Sequence, residues 1–148
     1  MPAAASKNYQ VKSVSFTPTG GSIQTKTDEV VNVEHSVNGE VVDWSGGGAV
    51  AVQGHNVENI KGSVVVTLLD QSMVSDASWK VGVAGVLVTT YQQRKDGSGA
   101  VSGGDKTVTG TSSVVTNVSQ GLPHRGQGTI QISFEVVDAS GVYPFSFG

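Results

Sequence analysis

The sequence predicts an all-β-dominated chain: an antiparallel β-sandwich or partial barrel with one short helix, a long hairpin loop and extended termini. Three observations carry that expectation. Val, Thr, Ser and Gly dominate, with 20 glycines in 148 residues, while the strong helix formers are scattered. Apolar and polar residues alternate along several runs, most cleanly Ile130, Ile132, Phe134 and Val136 against Thr129, Gln131, Ser133 and Glu135. Turn residues punctuate those runs at short intervals.

Taken in order, residues 1–8 read as an N-terminal arm. Residues 9–17 form a first strand closed by Pro18-Thr19-Gly20-Gly21, and residues 22–26 a short second one. Residues 29–37 then lead into Asn38-Gly39, a pair that favours a type I′ turn because both central positions need positive φ. A two-residue turn there sets Val37 against Glu40, His35 against Val42, Glu34 against Asp43 and Val33 against Trp44. One face of this hairpin is apolar (Val31, Val33, His35, Val37, Val42, Trp44) and the other polar (Asn32, Glu34, Ser36, Asp43, Ser45).

Gly46-Gly47-Gly48 breaks the ladder before a short apolar strand at residues 49–53. Residues 60–69 make a core strand with Ile60, Gly62, Val64, Val66 and Leu68 on one face. Strand periodicity lapses over residues 70–79, where Asp70 is placed to cap the short helix. Strands at residues 85–93 and 107–118 flank a glycine-rich loop, residues 128–137 form the last strand, and residues 142–148 an aromatic C-terminal arm. The whole reads as a single domain, 1–148.

Composition excludes several functions. A net charge of −3 with 14% charged residues gives no basic groove for nucleic-acid backbone. Cys 0 excludes disulfides and thiolate metal sites. Residues 1–7 lack a hydrophobic run of signal-peptide length, and no apolar run approaches the ~20 residues that span a bilayer, so a soluble chain is expected.

The candidate chemistry is thin. Gly99 and Gly104 have the spacing of a phosphate-binding loop, but Asp105 intervenes before Lys106-Thr107 and a Val/Thr strand follows where a helix is needed. His35, His55 and His124 form no short-spaced metal cluster, and His35 on an apolar face reads as a packed, hydrogen-bonded residue. Glu34 opposite Asp43 has three readings, a catalytic pair, a cation site, or two solvated acids, of which the last is favoured. No Gly-x-Ser-x-Gly elbow is present. No catalytic, cofactor or metal residue is assigned, and the chain is expected not to be an enzyme.

Several phrases taken together resemble the tail tube proteins of long-tailed bacteriophages. They are Val14-Ser15-Phe16-Thr17; Val33-Glu34-His35-Ser36 before a long hairpin; Asn59-Ile60-Lys61-Gly62-Ser63-Val64-Val65-Val66-Thr67; Gly85-Val86-Leu87-Val88; Val114-Val115-Thr116-Asn117-Val118; and Gly126-Gln127-Gly128-Thr129-Ile130 leading to Val136-Val137-Asp138-Ala139-Ser140-Gly141. The resemblance implies a virion protein, made in the host bacterial cytoplasm, whose six copies close into rings that stack as a tail tube. Its partners would be further copies of itself and the tape measure, tail terminator and baseplate or tail-tip proteins. DNA would slide through without specific binding, and no membrane segment or cofactor is implied. On this reading Glu34 and Asp43 face the lumen, while Val42, Trp44, Gly46, Gly47, Gly48, Val50 and Val52 touch neighbouring subunits or rings. The alternative is a β-sandwich capsid-decoration or receptor-binding module.

Overall fold

A computed structural model describes residues 8–27, 30–69, 79–94 and 105–148. Eight strands account for most of them: β1 (Asn8–Pro18), β2 (Gln24–Lys26), β3 (Val30–Trp44), β4 (Gly54–Leu68), β5 (Ala84–Arg94), β6 (Lys106–Gly121), β7 (Thr129–Val137) and β8 (Ser146–Phe147). All pairings are antiparallel, in the order β2-β1-β5-β6-β7-β4-β3, with β8 on β6. This is the all-β sandwich or partial barrel that the alternation predicts. The helix expected over residues 70–79 falls, apart from Trp79, outside the described residues.

The sheet curls over on itself. On a flat sheet β1 and β7 would lie three strand spacings apart, about 14 Å. Yet the Phe16 and Phe134 rings are 5.2 Å apart, edge to face. Trp79 fills the space between them, 5.5 Å from Phe16 and 6.2 Å from Phe134. Around these aromatics sit Val14, Val64, Val66, Leu68, Leu87, Val115, Ile130, Ile132 and Val136, all buried. Each such side chain contributes about 1.5–3 kcal/mol by leaving water, so the curl is held by the apolar faces of five strands.

The hairpin turn is not where Asn38-Gly39 suggested. Strand β3 runs straight through that pair, neither residue has positive φ, and the chain reverses at residues 45–53. Opposite Gly39, β4 carries two residues, Asn59 and Ile60, in a β-bulge. Asn59 adopts φ 53°, the left-handed conformation that asparagine tolerates better than most residues, and its amide Nδ2 donates to Glu40 Oε2 at 2.7 Å. Gly39 lacks a side chain because a Cβ there would strike Val57. The glycine thus accommodates a partner strand.

Three local expectations fall with that turn. Glu34 pairs with Val65 and Asp43 with His55, so the two acids are not cross-strand neighbours. Ile60, expected in the core face, is exposed because the bulge rotates it out of the alternation that Gly62, Val64, Val66 and Leu68 keep. Residues 49–53 form no strand; they belong to the loop, where Gly46 N–H donates to Gln53 Oε1 and Gln53 N–H to the Trp44 carbonyl.

The C-terminal stretch, expected as an arm, is pinned to the domain. Phe145 is 6% exposed and lies over Gly62, where a Cβ would come within 2.6 Å of its ring. Beyond it β8 pairs with Val108 and Thr109, and Gly148 exchanges backbone hydrogen bonds with Thr107 at 2.9 and 3.1 Å.

Candidate assembly interface

Strand β7 pairs with β4 only between Gly62 and Leu68. Above Gly62 the β3–β4 pair leaves the sheet and continues as a two-stranded ribbon to the loop at residues 45–53. A lone two-stranded ribbon is marginally stable in water. This one also carries apolar side chains on both faces: Val41 is 61% exposed, Trp44 54%, and Val42, Val57 and Ile60 are exposed as well. Trp44 lies against its cross-strand partner Gly54, where a Cβ would come within 2.6 Å of the indole. The ring therefore props the ribbon and still leaves half its surface to solvent.

Among the described residues no second strand is hydrogen-bonded to the outer edge of β3, and β3 is 15 residues long. Unpaired N–H and C=O groups along an edge of that length are a template for another strand. On the opposite side of the sheet, β2 covers β1 only from Val14 to Phe16. Among the described residues both margins of the curled sheet thus lack a strand partner over most of their length.

His35 ties the β3 margin back to the body. Its Nδ1 shares a hydrogen bond of 2.9 Å with the Tyr91 hydroxyl on β5, and its ring meets Phe145 edge-on at 5.5 Å. On a flat sheet β3 and β5 would be four strand spacings apart, about 19 Å. Burial lowers the His35 pKa and raises that of Tyr91, so both are neutral at pH 7. The packed, hydrogen-bonded reading of His35 holds. Its partners Tyr91 and Phe145 lie far away in sequence, and only the period-2 position of His35 among Val33 and Val37 hinted that it turned inward.

The second anchor is Asp138. Its carboxylate accepts from Ser140 Oγ at 2.7 Å and from the backbone N–H groups of Tyr143, Ser140 and Val142 at 2.9, 3.0 and 2.9 Å. Those bonds hold its pKa far below the usual carboxylate range, and Gly141 completes the turn with φ 77°. The clasp leads Phe145 into the core. Between it and the ribbon base lies a cleft of about 350 Å³ lined by Val57, Glu58, Ile60, Val142 and Tyr143 among others.

Of the residues singled out from sequence, Val42, Trp44, Gly46, Gly47, Gly48, Val50 and Val52 all fall on the ribbon or its loop, and all are exposed. Glu34 is exposed on the outer face of β3, and Asp43 lies nine residues on in the ribbon, about 30 Å along the strand. Among the described residues no group of three His, Asp or Glu is placed to hold a metal ion, and no helix is long and apolar enough to cross a membrane.

No family model matches the chain, and no curated protein matches it in sequence. Solved structures do match in shape. The 6-fold symmetrised baseplate of the anti-feeding prophage contains a chain 10% identical, with a TM-score of 0.51 over 100% of this chain and 97% of that one. A chain in the tail of an empty gene transfer agent particle, refined helically with C6 symmetry, is 15% identical over 92% and 94%, with a TM-score of 0.49. One in the native gene transfer agent virion is 13% identical over 93% and 95%, at 0.48. At such identities the baseplate likeness establishes a common fold.

Proposed function

We propose that this chain is a structural protein of a phage-type tail, assembling with copies of itself into six-membered rings that stack as a tube through which DNA leaves the particle. The observation that carries the reading is the unfinished sheet. A 15-residue edge strand and a ribbon with apolar side chains on both faces would be an aggregation hazard in a monomer. In a ring the open margin of one copy meets the next, and the ribbon packs on a neighbour. The common fold with a chain of a 6-fold baseplate supports the same reading.

Glu34 and Asp43 are the acids we place towards the lumen, each on its own and not as a pair. A wall without clustered Lys and Arg gives DNA phosphates few counterion-releasing contacts, so the strand slides. The ribbon and its loop, from Val42 to Val52, make the contacts between subunits. Tape measure, terminator and baseplate proteins would meet the tube at its length-setting core and its two ends.

Negative-stain microscopy of the purified chain tests this. Hollow rings or tubes are expected; monodisperse monomers or trimers across salt and concentration would favour a decoration or receptor-binding module.

A further inference from the structure

The two ends of strand β7 carry surfaces that differ in shape and charge. At its start the chain turns through residues 122–128, beside Gly121 and near Leu68; at its end, beside Gly62, lies the cleft between the ribbon base and the Asp138 clasp. Nine residues of strand, about 30 Å, separate them.

The cleft has a mixed lining, with apolar side chains beside Glu58, Asn59 and Asp138. Val57, Ile60, Val142 and Tyr143 line it, and all four are exposed in the single chain. Glu58 stands at the rim directly across from Glu40. Like charges facing across a strand pair repel; Glu40 is tied to the Asn59 amide, while Glu58 makes no ion pair among the described residues. A cation seated there would relieve that repulsion.

The turn at the other end has the complementary features. Leu122 is 70% exposed, Pro123 stiffens the segment that presents it, and His124 and Arg125 follow, both exposed. Proline fixes φ at one position of this turn and so lowers the entropy lost on docking. We infer that copies join end to end by seating this turn of one copy in the cleft of the next, with Leu122 against Val57, Ile60 and Val142, and the Arg125 guanidinium on the Glu58 carboxylate. The two surfaces are different and every copy carries both, so the contact is head-to-tail, and about 30 Å of strand between them sets the two surfaces at opposite ends of the copy, as an axial contact requires. This deepens the tail reading, on which it rests, by assigning the contact that stacks one ring on another.

The chain has Cys 0, so introduced cysteines report on this contact without background. Leu122→Cys and Val142→Cys in one chain, oxidised after assembly, should give a ladder of covalent oligomers that runs past six on a denaturing gel, while each single variant stays monomeric; a ladder that stops at six would place the contact within a ring and overturn the stacking assignment. Dimers from Val142→Cys alone would mean that cleft faces cleft and would overturn the assignment. Assembled tubes without a ladder would overturn it too, leaving the self-assembly reading in place; a parent chain that never assembles overturns both. As a second readout, Arg125→Glu should weaken stacking about tenfold or more, and Glu58→Arg in the same chain should restore it. Stacking unchanged in Arg125→Glu would contradict the pairing.

Discussion

At His35 three elements meet: its own strand, Tyr91 of β5 and Phe145 of the C-terminal segment. Because burial lowers the folded pKa below 6.5, the unfolded chain takes up a proton first as pH falls. The stabilisation is therefore complete above about 6.5 and declines as pH drops through that value towards the folded pKa. Thermal melts should show the midpoint falling between pH 7 and pH 5, and the His35→Gln chain should lose that slope. Tyr91→Phe should cost about 1 kcal/mol at pH 7 in denaturant titrations by removing the bond's partner. Asp138 acts in a separate window. Its folded pKa is depressed, so its clasp is complete above the ordinary carboxylate range and is lost only in stronger acid. Phe145→Ala should destabilise by about 3–5 kcal/mol, far more than removal of a free arm would.

Strands, taken one by one, were legible wherever a single face is buried. The alternation from Ile130 to Val136 and from Gly62 to Leu68 gave both the element and its inward face, because a register slip there would turn every core residue to solvent. The ribbon was not legible for the complementary reason. With neither face buried in the chain itself, nothing in its pattern outweighed the turn preference of Asn38-Gly39, and the true reversal lies at the glycine run, where Gly48 has φ 81°. What marks Asn59 is also local: an αL residue in a bulge looks like any polar residue in a strand. Asn59→Gly should be nearly neutral in a chemical-denaturation series, whereas Asn59→Val should cost about 1–2 kcal/mol, since a branched side chain resists positive φ.

For the whole molecule, a folded core and an unfinished margin coexist. Phe16, Trp79 and Phe134 close the curl, and nothing in that core needs a second chain. On the proposed function the ribbon and the β3 edge do. Substitutions there should separate assembly from folding: Val42→Lys should leave the folding free energy within about 0.5 kcal/mol of the parent while abolishing rings in sedimentation and microscopy. The sequence resemblance points to assembly, whereas the hairpin's faces rest on the Asn38-Gly39 turn, which does not form, so Glu34 and Asp43 are not paired; the residues proposed as contacts lie on the ribbon and its loop.

Hydrogen exchange of the β3 amides, read on peptides within Val30–Trp44, tests the unfinished edge most directly. In dilute protein the amides facing away from β4 should exchange quickly, and on assembly they should become protected together with those of the ribbon. Equal protection in the dilute and assembled states would contradict the claim that a neighbouring copy completes this sheet.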